Sequence, residues 1–108
     1  MTSSRVALVR GADRYDNVSH ALEQIAVEVD LSGKKQILVK PNFVVTHKPL
    51  AATHVDAVRA VLDFVRARYD GPITIAEGPS VQPAAEGFRL HGYEPLVASH
   101  GVTLVDLN

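Results

Sequence analysis

The chain has no cysteine and no tryptophan, and its aromatic residues are three Tyr and three Phe. Without cysteine, disulfides, zinc–thiolate sites, iron–sulfur ligation and cysteine nucleophiles are excluded within this chain. Charge of neither sign dominates. Eleven Lys and Arg face twelve Asp and Glu, a formal net charge of −1. That balance leaves no electrostatic footprint for nucleic acid or an anionic membrane surface. No run approaches the roughly 18 apolar residues of a membrane span, and the N-terminus lacks the apolar segment of a signal peptide. A cytoplasmic protein is expected. Familiar motifs are missing as well: Gly-x-Gly-x-x-Gly after the first apolar run, a Gly-x-x-x-x-Gly-Lys-Ser/Thr phosphate loop, and the Gly-x-Ser-x-Gly elbow of hydrolases.

What remains is the composition of an ordinary folded domain, 46% hydrophobic and 21% charged over 108 residues. That length is enough to bury one core. Short apolar runs at Arg5–Arg10, Gln36–Val39, Ile73–Ala76 and Val102–Val105 read as strands. Between them lie stretches of helical spacing. Val18, Ala21, Leu22, Ile25, Ala26 and Val29 make the first, with Asp16 or Asn17 available as N-cap. The strongest runs over His54–Tyr69, where Val55, Val58, Val61, Leu62, Val65 and Tyr69 form one apolar stripe opened by Thr53 as cap. On its other face Arg59, Arg66 and Arg68 alternate with Asp56, Asp63 and Asp70, the pattern of a solvated surface. Pro83 and Pro95 introduce two short helices, closed by Gly92 and Gly101. Residues 43–53 show no period and read as a loop.

Continuously apolar strands alternating with helices predict a parallel sheet covered on both faces. The expectation is a three-layer open α/β sheet of about four mainly parallel strands in the order 2-1-3-4, with helices on both faces. Residues 1–108 read as a single α/β domain.

Ligands of such sheets sit beyond the carboxyl ends of the strands. The strand ends here are Arg10-Gly11, Lys40-Pro41-Asn42, Glu77-Gly78-Pro79 and Asp106-Leu107-Asn108. Lys40 and Asn42, with Thr53 at a helix N-terminus and Gly78 beside the strand end, are candidate holders of a phosphate or carboxylate. Glu77 and a neutral His54 are candidate bases. Each has a plainer reading: Lys40 as a rim residue with its stem on apolar surface, Thr53 as a cap only, Glu77 as an acceptor for turn N–H groups. His47, His54 and Glu77 are metal-ligand types, but their spacing matches no compact motif, and no metal is expected. His20, His91 and His100 read as surface or capping histidines.

The stretches "VALVRGADRYDNVSHALE", "ILVKPNFV", "AATHVDAVRAVLDFV", "ITIAEGPS" and "FRLHGYEPLVASHGVTLVDLN" resemble the amino-terminal half of family 362 of the domains of unknown function. The Lys-Pro-Asn step at 40–42, Thr-His at 53–54, Glu-Gly at 77–78 and Gly-Tyr at 92–93 carry the likeness. The resemblance implies association with ferredoxin-like iron–sulfur proteins, hence redox or cofactor chemistry. The missing cysteines assign any cluster to another chain or segment. It also implies a longer domain, with later polar residues that have no counterpart here, so the chain is expected to be a fragment or half of it. A homo-oligomer or a second chain completing the domain is expected. Two functional classes stand: part of an enzyme acting on an anionic small molecule, or a non-catalytic binding or assembly module.

Overall fold

The computed structural model describes residues 3–108. Three strands, β1 (Ile37–Val39), β2 (Ile73–Glu77) and β3 (Val102–Asp106), pair in parallel in the order β1-β2-β3. The α-helices among the described residues are α1 (Arg14–Gln24), α2 (Val55–Arg66), α3 (Ala84–Leu90) and α4 (Pro95–His100). The fold is therefore α/β with a parallel sheet, but with three strands rather than four and not in the expected order. Gln36–Val39 pairs directly with Ile73–Glu77, and the Arg5–Arg10 run lies unpaired beside α1. Its alternation puts Ala7 and Val9 half-buried and leaves Val6 and Leu8 exposed. A period of two suits an extended segment packed on a helix as well as one in a sheet, so the pattern alone did not distinguish them.

Cover on both faces is the second expectation the structure corrects. Register places Ile37, Ile73 and Val102 in one row and Val39, Ile75 and Leu104 in another. Both rows join one core with Leu62 and Val65 of α2, Phe88 of α3 and Leu96 of α4. The alternate rows carry Leu38 and Val105, which are 59% and 37% exposed, while Ala76 on the central strand is buried. α2, α3 and α4 thus lie on one face, and α1 packs on α2. Strands stepping in one direction with right-handed crossovers put every connection on the same side.

The best sequence signal held. Val58, Leu62, Val65 and Tyr69 are buried, with Val55 and Val61 packed against them. The helix ends sooner than its stripe, with Ala67 as C-cap. The supposed solvated face of that helix is heavily used. Arg66 donates to the carbonyls of His100 (2.8 Å), Gly101 (3.1 Å), Gly71 (2.7 Å) and Tyr69 (3.3 Å), tying the end of α2 to the end of α4. Asp63 accepts from Tyr15 of α1 at 2.5 Å and from His100 of α4 at 2.6 Å.

Two other starts shifted. α1 is capped by Asp13, which accepts from the Asp16 N–H, and not by Asp16 or Asn17; Asn17 instead donates to the Gly11 carbonyl. Pro83 has no side-chain acceptor to cap α3, and Asp106 of β3 accepts the Ala84 N–H at 2.9 Å in its place. Pro95 opens α4 and Gly101 closes it with a left-handed φ of 64°, a conformation glycine adopts without steric cost.

Candidate functional site

β2 ends at Glu77, on the same sheet face as Ile73 and Ile75, so its carboxylate enters the space over the end of β1. There the chain leaves β1 at Lys40 and turns through Pro41 and Asn42. Glu77 is only 3% exposed, whereas the Lys40 side chain is 51% exposed. The Lys40 ammonium stands 2.8 Å from one Glu77 oxygen, which also accepts the Gly78 N–H at 2.9 Å. The other oxygen accepts the Phe43 N–H, and Lys40 donates as well to the Pro41 carbonyl at 3.2 Å. Burial pushes the Glu77 carboxyl pKa up, but Lys40 and the two backbone N–H groups outweigh it, leaving the pKa below its ordinary value. Glu77 therefore stays ionised near neutrality and is a weak proton acceptor there.

The loop that follows is seated by three contacts. Phe43 is buried edge-on against Phe88 and Tyr93, with ring centroids 5.6 and 5.2 Å away. Gly87 makes room for it, since a Cβ there would lie 2.7 Å from the Phe43 ring. Thr46, fully buried, donates to Glu86 at 2.8 Å and accepts at its carbonyl from His91 Nε2 at 2.7 Å. The loop then returns, and Thr53 pairs with Asn42 twice: Thr53 N–H donates to the Asn42 carbonyl (2.8 Å) and Thr53 Oγ1 accepts the Asn42 N–H (2.9 Å).

That pairing corrects the expected cap. Because the Thr53 hydroxyl is engaged by Asn42, α2 starts one residue later with His54 as N-cap, its Nδ1 accepting the Asp56 N–H at 3.0 Å. A ring nitrogen that accepts must carry a lone pair, which is the neutral form expected beside a helix N-terminus. Tyr93 donates its hydroxyl to the Thr53 carbonyl at 2.6 Å, and burial raises its pKa above the ordinary phenol value.

The candidate residues divide between two hollows. Lys40, Asn42, Glu77 and Gly78 share a cavity of about 370 Å³ at the carboxyl edge, with Ser80 and Asn108 opposite. Thr53 and His54 line a separate cavity of about 390 Å³, where the third polar side chain is His91. Asn42 and Thr53 meet again in a hollow of about 310 Å³, and Lys40 and Thr53 in an apolar one of about 220 Å³. Among the described residues, no three His, Asp or Glu gather as metal ligands.

Sequence reasoning missed His91, Phe43 and Thr46. Nothing local marks them, since their partners lie 34 to 45 residues away. Only the Gly92-Tyr93 step beside His91 gave a signal.

The sequence model of the family described as Domain of unknown function (DUF362) matches residues 37–108. The chain belongs to this family. The DUF362 match opens on β1 and takes in Lys40-Pro41-Asn42, Thr53-His54, Glu77-Gly78 and Gly92-Tyr93. The stretch "VALVRGADRYDNVSHALE" lies outside it. No curated protein and no solved structure matches the chain. No helix among the described residues of this DUF362 chain is long and apolar enough to cross a membrane.

Proposed function

We propose that this domain is part of an enzyme or cofactor-handling protein and binds a phosphate- or carboxylate-bearing small molecule at the carboxyl edge of its sheet. The observation that carries this reading is Lys40, a half-exposed ammonium held by Glu77 on the rim of a cavity it shares with Asn42, Gly78 and Ser80. The Lys40–Glu77 pair spends part of the charge. It also fixes the ammonium in place, so an anion arriving there orders no flexible side chain. Asn42 and Ser80 supply neutral donors. Gly78 keeps the floor low, because a Cβ there would come within 2.9 Å of Asn108. In this scheme Glu77 positions Lys40 rather than taking up a proton, and His54 lies in the neighbouring cavity across the Asn42–Thr53 pairing.

Phosphate titration followed by amide NMR tests it. Shifts are expected first at residues 40–43 and 78–80, with loss of the effect in Lys40→Ala. Shifts confined to the Arg59–Arg68 face of α2 would mean nonspecific binding and end the proposal.

A second reading is an assembly module, favoured by the apolar Leu38 and Val105 on the open face of the sheet. A second copy, a chain completing the domain, or a ferredoxin-like protein would cover them. Light scattering separates the readings: a monomer at high concentration argues against self-association through this face.

A further inference from the structure

We propose that the cavity between the 49–53 turn, the start of α2 and the end of α3 is a second binding site, which takes an uncharged aromatic carboxamide. It is independent of the cleft at Lys40. Its volume is about 390 Å³, within the range of small-molecule sites.

Two imidazoles line it, and their hydrogen bonds fix complementary roles. His54 Nδ1 accepts the Asp56 N–H, so in the neutral ring the proton sits on Nε2, a donor. His91 Nε2 lies 2.7 Å from the Thr46 carbonyl, which can only accept. That nitrogen therefore carries a proton, and in the neutral ring Nδ1 is left with its lone pair. Neither His54 Nε2 nor His91 Nδ1 has a hydrogen-bond partner among the described residues. With both rings neutral, the two lining imidazoles offer one donor and one acceptor beside the apolar Pro49, Ala52, Val55 and Leu90.

A carboxamide on a flat ring is the complement: its carbonyl accepts from His54, its N–H donates to His91, and the ring covers the apolar wall. A carboxylate fits worse, because its oxygens would meet the His91 lone pair and, among the described residues, no Lys or Arg lines the cavity. A metal ion on His54 Nε2 would drive the proton to Nδ1, against the Asp56 N–H.

Amide NMR of the whole chain with benzamide, benzoate and N,N-dimethylbenzamide tests this. Saturable shifts are expected at residues 52–55 and 90–92, with benzamide bound about fivefold more tightly than either analogue, the worth of one hydrogen bond. His54→Asn keeps a side-chain oxygen to cap α2 and removes the Nε2 donor, so it should weaken benzamide by a similar factor. Equal binding of all three compounds, absence of saturable shifts, or shifts centred on Val6–Val9 and α1, where a larger apolar cavity lies, would overturn the proposal.

Discussion

Glu77 and Asp63 are both carboxylates held below their ordinary pKa, but different kinds of donor hold them. Glu77 is buried and takes one ammonium and two backbone N–H groups, those of Phe43 and Gly78. Asp63, 42% exposed, takes two side chains, Tyr15 from α1 and His100 from α4. In both, burial raises the pKa and the hydrogen bonds outweigh it. A carboxylate bound to backbone N–H groups dictates the path of the chain that carries them. One bound to side chains only sets the spacing of helices already formed. Losing the first strands the buried Phe43 N–H, although Lys40, 51% exposed, can turn to water; of the partners of the second, His100 is only 12% exposed.

The sharpest way to break this contrast is Glu77→Ala. It should cost about 3 kcal/mol in denaturant unfolding, and the amides of residues 42–53 should move together. If those amides stay put, Glu77 does not seat the loop and the contrast fails. Gly87→Ala attacks the same loop through packing alone. Forcing a Cβ against Phe43 should cost about 2 kcal/mol while leaving the Lys40–Glu77 pair in place. Asp63→Asn tests the more exposed carboxylate; it keeps one side-chain acceptor and should cost only about 0.5–1 kcal/mol.

Acid sharpens the comparison further. A carboxyl whose folded pKa lies below its unfolded value stabilises the fold above the unfolded pKa, about 4 for these groups, and loses that contribution as pH falls through the folded pKa. Stability should therefore fall as pH drops below about 4. Glu77→Gln should flatten that fall more than Asp63→Asn does, as read by denaturant midpoints at several pH values. An equal effect of the two would mean that backbone donors confer nothing extra.

Legibility along the chain follows the range of the forces involved. The stripe of α2, the strand cores at 37–39, 73–76 and 102–105, and the glycine closing α4 were readable, because each rests on neighbours within a few residues. The cap of α2 moved from Thr53 to His54 because Asn42, eleven residues earlier, engaged the threonine hydroxyl. The charged face of α2 looked solvated, yet Arg66 and Asp63 bind groups on α4 and α1 that no local pattern announces.

By itself the sequence determined the α/β class, the parallel run of apolar strands, and the placing of Lys40, Asn42, Glu77 and Gly78 together at strand ends. Periodicity and punctuation by Gly and Pro are local properties and survive being read one residue at a time. The tertiary structure decided the strand order, the single covered face, the pairing of Lys40 with Glu77, and the separation of His54 from the Lys40 cleft into a cavity with His91. These depend on which distant group reaches a hydrogen-bonding atom first. That competition is settled only when the whole chain has packed.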